Sequence, residues 1–155
     1  MIVVSDTSPL TSLLQIGHEQ LLPELYGNVI IPTAVERELR KAHSTLPPFL
    51  QVVSALDRET VARLETEIGE GEAEAIAVAK EVRADALLID ERRGRHVAQR
   101  EGVPVIGLLG VLIVAKKRGL ITRLAYVPDE LESMADFRLS LDLKLRALRE
   151  VGERV

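Results

Sequence analysis

The sequence predicts an α/β domain with a mainly parallel sheet covered by helices on both faces. Three observations predict it. Short apolar, β-branched runs alternate with amphipathic stretches along most of the chain, the pattern of repeated strand-helix units. Two of those runs, Ile2-Val3-Val4 and Ala86-Leu87-Leu88-Ile89, stop abruptly at an acid, Asp6 in SDTSP and Asp90 in LLIDERRGR. Helix-start chemistry follows each acid, and this is how α/β folds place reactive groups at the C-terminal edge of a sheet.

Each element has a local reason. After the first strand, Thr7 or Ser8 caps a helix with Pro9 at its first position, where the missing N–H costs nothing. That helix carries Leu10, Leu13, Leu14 and Ile16 inward and ends at Gly17. A helix around Glu19 to Leu25 leads to the strand Asn28 to Ile31, closed by Pro32. In TAVERELRK, Thr33 and Glu36 have capping-box spacing, and Glu38 shares a face with Val35, so it leans toward the domain. His43 to Pro48 reads as a loop and Leu50 to Val53 as a short strand. Helices follow over 57–68 and 71–82, the second striped by Ala75, Ile76 and Ala79 with Glu72 one turn earlier. Glu74 falls on another side of that helix with Val78 and Glu81, and is expected to be solvated. Then come the strand Ala86 to Ile89, a helix Arg92 to Arg100, a strand Val103 to Ile106, and a helix Leu109 to Arg118 ending in cations before Gly119. Finally Phe137, Leu141, Leu145 and Leu148 recur at helical spacing, an amphipathic helix from about Asp136 to Glu150 that packs on its own domain.

Composition narrows the chemistry. With 155 residues, 46% of them hydrophobic, the chain suits one core, divided here as a domain over 1–125 and a helical extension over 126–155. No apolar run is long enough to span a membrane and no secretory signal is visible, so a cytoplasmic protein is expected. The absence of cysteine excludes disulfides, thiol nucleophiles and thiolate metal sites, and three scattered histidines offer no zinc spacing. A net charge of -4 argues against coating nucleic acid, yet Arg92, Arg93, Arg95 and Arg100, and Lys116, Lys117, Arg118 and Arg123, would give an acidic centre a basic margin.

In the simplest doubly wound arrangement Asp6, Glu38, Glu72 and Asp90 all project near one sheet edge. Four carboxylates there repel one another, and the natural counterpart is a hard dication with oxygen ligands, Mg²⁺ or Mn²⁺. Such a set points to a metal-dependent nuclease. Three of the acids also have a structural reading: Asp6 and Asp90 as helix caps, Glu72 as a favourable charge at a helix N-terminus. A phosphatase with Asp6 as nucleophile is weaker, because Ser8 stands where its partner acid is expected.

The segments DTSPL, VIIPTAVERELR, GEGEAEAIAVA and LLIDERRGRHVA, followed by GVPVIGLLGVLIVAKKRGLI, resemble in that order the small PIN-domain proteins of prokaryotes, in a branch near the toxin ribonucleases of toxin-antitoxin pairs. The resemblance covers roughly residues 2 to 125 and implies a three-layer α/β/α fold. It implies a quartet of acids that binds one or two divalent metals for phosphodiester hydrolysis. Asp6, Glu38 and Asp90 match the first, second and fourth. Glu72 takes the place of the third, usually Asp, at the head of the alanine-rich helix, 18 positions before Asp90. Glu74 is its rival for that place. Thr7 resembles the hydroxyl that supports the first acid. An RNA substrate, an antitoxin that inserts a basic side chain among the carboxylates, and a homodimer are further implications. Arg95, with Arg92 and Arg93, would hold the phosphate backbone. With 3% aromatic residues, base stacking is a poor source of specificity. The competing reading is a non-catalytic module that binds RNA or a partner, motivated by the longer Glu72 arm and the acidic net charge.

Overall fold

The structure, a computed structural model, describes residues 1–121 and 141–153. Strands β1 (Val3–Ser5), β2 (Val29–Pro32), β3 (Leu50–Val53), β4 (Ala86–Leu88) and β5 (Val105–Ile106) form one all-parallel sheet in the order β3-β2-β1-β4-β5. The helices are α1 (Thr7–Ile16), α2 (Leu21–Tyr26), α3 (Thr33–Ala42), α4 (Arg58–Glu65), α5 (Glu70–Glu81), α6 (Arg92–Arg100), α7 (Leu108–Lys117) and α8 (Leu141–Glu150). From β1 the chain builds outward to β3, then α4 and α5 carry it back to lay β4 on the other side of β1. The strand order therefore reverses between β1 and β4, and a crevice beyond their C-terminal ends is where such sheets bind ligands.

Alternation along the buried strands separates two cores. Val3, Val29, Ile31 and Leu88 meet Leu10, Leu13, Leu22, Leu108 and Leu112 of α1, α2 and α7 on one face. Val4, Leu87 and Ile89 meet Val61, Leu64, Ile76, Val78 and Val97 of α4, α5 and α6 on the other. A one-residue slip would exchange the two sets, so burial on both faces fixes the register, in which Val3, Val4 and Ser5 lie opposite Ala86, Leu87 and Leu88. The result is the three-layer α/β/α arrangement. Helix α3 packs against α1 and α5 and sends Val35 and Leu39 into the first core.

Helix starts depart from the sequence expectations. Helix α1 begins at Thr7 with Asp6 in the N-cap position, so Pro9 is third in the helix and not first, still within the turn whose N–H groups have no helical partner. The capping box at Thr33 and Glu36 does not form. Pro32 occupies the N-cap of α3, the Thr33 hydroxyl donates to Glu74, and Glu36 pairs with Arg40. Gly17 closes α1 in the left-handed region, φ 72°, as its lack of a Cβ allows.

Helix α8 packs on α7. Ala147 is buried, Leu148 and Val151 join the first core, and Lys117 and Lys116 pair with Glu150 and Glu153 at 3.0 and 3.5 Å. The start of this helix near Asp136, with Phe137, lies outside the described residues, as does Arg123. No helix among the described residues is long and apolar enough to cross a membrane.

Candidate functional site

The register of β1 and β4 brings their acids together. Beyond the last paired residues, Asp6 N–H donates to the Leu88 carbonyl at 2.9 Å, which sets Asp6 beside Ile89 and Asp90. Helices α1, α6 and α7 each follow a parallel strand and so start at this edge, and the start of α5, at Gly69 to Glu72, lines the same pocket as Asp6. Their unpaired N–H groups and dipoles favour negative charge there. Asp6, Thr7, Ser8, Glu38, Gly69, Gly71, Glu72 and Glu91 line a pocket of ≈170 Å³.

Asp6 is 5% exposed, the most buried acid of the pocket. Burial raises its pKa from 3.8 to about 6; the Thr7 amide lowers it, and the charges of Glu38, Glu91 and Asp90 raise it further. Glu38 sits at the mouth, exposed, with Oε2 accepting the Thr7 hydroxyl at 2.6 Å. Thr7 thus orients the second acid, where the resemblance assigned it support of the first. Glu72, in the first turn of α5, is raised from 4.5 to about 7, chiefly by burial, then by the charges of Asp6 and Glu91; the Gly69 amide lowers it and a hydrogen bond with Glu91 raises it. Its Oε2 is buried without a hydrogen-bond partner. None of Asp6, Glu38, Glu72 and Glu91 forms an ion pair with Lys or Arg among the described residues.

Two glycines permit this crowding. A Cβ on Gly71 would stand 2.7 Å from Glu38 Oε1, and one on Gly94 would collide with Glu72 Oε2. Gly94 is buried in the first turn of α6, and its lack of a side chain leaves the room that the Glu72 carboxylate occupies.

Asp90 is at the same edge but turned aside. Its Oδ1 accepts the Leu108 amide at 2.8 Å, so it caps α7 from across the sheet, and not α6. Its Oδ2 is buried and unpartnered. Burial raises its pKa, while the Leu108 amide and Arg95 lower it. Its neighbour Glu91 faces the pocket instead, a residue that the sequence reading passed over. The signal was present: successive side chains of an extended segment point to opposite sides, so an acid pair at a strand exit sends one member each way.

Glu74 is not solvated, contrary to the helical-wheel expectation. It is 1% exposed, and its Oε1 accepts the Thr33 hydroxyl at 3.0 Å and the Ala34 amide at 3.1 Å, while Arg58 donates to Oε2 at 3.3 Å. These partners occupy both its oxygens, so Glu72 is the acid of α5 that faces the pocket. The wheel failed because the covering surface belongs to another element, α3.

The basic margin is largely spent on internal pairs. Arg93 Nε donates to the Glu67 carbonyl at 2.8 Å, Arg100 pairs with the Glu67 carboxylate, and Arg95 Nη1 donates to the Ile89 carbonyl at 3.2 Å. Arg92 has no hydrogen bond or ion pair among the described residues. Arg92 and Arg95 line a groove of ≈660 Å³ with Asp90, Ile106, Leu109 and Ile113, next to the acidic pocket.

The donor set fits a hard divalent cation. Its carboxylates have no Lys or Arg partner among the described residues, Glu72 Oε2 is orphaned, and the pocket is small. Among the described residues, however, no three His, Asp or Glu side chains are gathered tightly enough to hold an ion directly.

The family model for the DUF3368 PIN domain matches residues 2–153. No curated protein and no solved structure matches the chain. The matched region contains every strand of the sheet, the pocket acids and α8, so the chain belongs to the PIN-domain family, whose members are generally nucleases.

Proposed function

We propose that this protein is a metal-dependent endoribonuclease that hydrolyses RNA phosphodiester bonds with Mg²⁺ or Mn²⁺. The observation that carries the reading is Asp6: a carboxylate 5% exposed, with no cationic partner among the described residues, facing three further acids at the switch point of the sheet. Desolvating an anion this way is costly, and a bound dication is what would offset the cost.

Asp6, Glu72, Glu38 and Glu91 would hold the cation, with Asp90 contributing its free Oδ2. When bound, the cation polarises the scissile phosphate and acidifies a water molecule. The chain's own residues do the rest. Thr7 fixes Glu38, the α5 N-terminus fixes Glu72, and the Leu108 amide fixes Asp90. Glu72 and Glu91 line the same pocket, where a deprotonated carboxylate would accept the proton of an attacking water. Arg92, whose side chain is unpaired among the described residues, and Arg95 line one groove with Asp90 beside the pocket and would hold phosphates of the RNA backbone there. Arg93 is a poorer candidate while Glu67 engages it. The finer reading is a cytoplasmic, homodimeric toxin of a toxin-antitoxin pair, silenced by an antitoxin that places a basic side chain among these acids.

Purified protein is expected to cleave structured RNA with Mn²⁺ and to be silent in EDTA. Cleavage that persists in EDTA would overturn the reading. Glu91→Gln is expected to reduce cleavage at saturating RNA by about ten-fold or more, on the scale of losing one metal-supporting carboxylate. Unchanged rates at limiting Mn²⁺ would remove Glu91 from the site.

The spread of the acids favours a second reading, a PIN module that binds RNA or a partner without turnover. RNA binding that neither Mn²⁺ nor EDTA alters, with no cleavage, would select it.

A further inference from the structure

We propose that Glu74 is a positioning residue: a buried carboxylate of α5 that caps α3 and so holds Glu38 against Glu72 across the acidic pocket. This inference rests on the metal-dependent reading above. The N-cap of α3 is Pro32, which has no side-chain acceptor to offer, yet the first turn of α3 is buried at Ala34. An orphan amide there would be costly. Glu74 supplies the missing acceptor from another helix, taking the Ala34 amide and the Thr33 hydroxyl on the same oxygen.

The geometry transmits this cap to the site. Glu38 is one turn beyond Ala34 on α3, and Glu72 is two residues before Glu74 on α5. The cap therefore joins the two helices within a turn of the acid that each contributes. Arg58 of α4 holds the second oxygen, which ties a third helix to the same carboxylate. Glu38 approaches Gly71 of α5 too closely for a side chain there, so small displacements of α3 along α5 alter the spacing of Glu38 and Glu72 directly.

The test measures Mn²⁺ affinity by calorimetry, RNA cleavage and thermal stability on the full chain. Four variants are compared: Glu74→Ala, Glu74→Asp, Glu74→Gln, and Leu25→Ala as a destabilised control on α2, a helix that carries no pocket acid. Glu74→Ala is expected to weaken Mn²⁺ binding about ten-fold or more, the usual scale for losing a group that orients a ligand. Glu74→Asp keeps the charge but is one methylene short, and is expected to weaken binding by about five-fold, which keeps the test open if the alanine variant does not fold. Glu74→Gln retains an oxygen for Ala34 and Thr33 and is expected to stay within about three-fold of wild type. Leu25→Ala is expected to lose stability and keep its Mn²⁺ affinity. Wild-type affinity in Glu74→Asp, or equal weakening in Leu25→Ala, would overturn the positioning role alone. A wild-type protein that neither binds Mn²⁺ nor cleaves RNA would remove the nuclease reading, and the positioning role with it.

Discussion

Asp6→Asn is expected to lower metal-dependent RNA cleavage by about 10³-fold or more, because losing the most buried ligand of a metal site removes several kcal/mol of transition-state stabilisation. The same change is expected to stabilise the metal-free protein at pH 8. Asp6 binds its proton more tightly in the folded state, with a pKa raised from 3.8 to about 6, so between those values the folded protein holds more protons than the unfolded one. Stability then falls as pH rises through that window and remains lower above it. A shift of that size corresponds to at most about 3 kcal/mol at pH 8. Asparagine keeps the shape and an acceptor for the Thr7 amide but has no charge to desolvate. Glu72, raised from 4.5 to about 7, extends the same slope toward neutrality. Thermal melts from pH 4 to pH 8 in EDTA check this: wild type is expected to lose stability with rising pH, and Asp6→Asn to lose less. Added Mn²⁺ is expected to reverse the wild-type slope, since the cation binds only the deprotonated acids. A variant less stable than wild type at pH 8 would contradict the account of Asp6.

Gly94→Ala is the second large effect. One methyl group placed there collides with Glu72 Oε2 and stands 2.7 Å from Ile89 Cδ1, and Ile89 is fully buried and cannot yield far. The carboxylate must therefore leave its place. Stability is expected to fall by at most about 2 kcal/mol, because alanine gains about 1 kcal/mol over glycine in a helix while the overlap costs about 1–3 kcal/mol. Function is expected to suffer far more, with cleavage and Mn²⁺ affinity falling by at least about ten-fold. A double-mutant cycle with Glu72→Gln checks the cause. If Gly94 acts through Glu72, the double variant is no worse than Glu72→Gln alone, whereas additive losses would mean that Gly94→Ala acts elsewhere.

The sequence made the sheet legible because its three central strands are buried on both faces. Runs such as Val29 to Ile31 and Ala86 to Ile89 have no alternation to confuse them with surface strands, and their ends in Pro32 and Asp90 are sharp. Helix starts were less legible, because caps came from distant residues. Pro32 precedes α3 without capping it and Glu74 does so from 40 positions away, while Asp90 serves α7, 18 positions on. A capping box read from Thr33 and Glu36 assumes that helix ends are satisfied locally. Here tertiary partners won.

The site was legible to the same depth. Asp6 and Asp90 leave adjacent parallel strands at one edge, and Glu72 at the start of α5 and Glu38 from within α3 reach the same edge. What no linear pattern reveals is orientation at a strand exit, so Asp90 was legible as an acid of the edge and Glu91 was missed as the one facing the pocket. The partners of the rim arginines were hidden for a related reason. Arg93 and Arg100 form a cationic cluster in sequence but are neutralised by Glu67, which lies beyond α4 and comes beside α6 only in the fold.

The central claim is that separated acids share one bound dication at the switch point between β1 and β4. The most direct measurement is a crystal structure grown with Mn²⁺, with anomalous diffraction locating the ion. The expected result is a manganese peak ligated by Asp6 together with Glu72 and at least one of Glu38, Glu91 and Asp90. Saturating Mn²⁺ with no peak in that pocket, or a peak that Asp6 does not touch, would contradict the account.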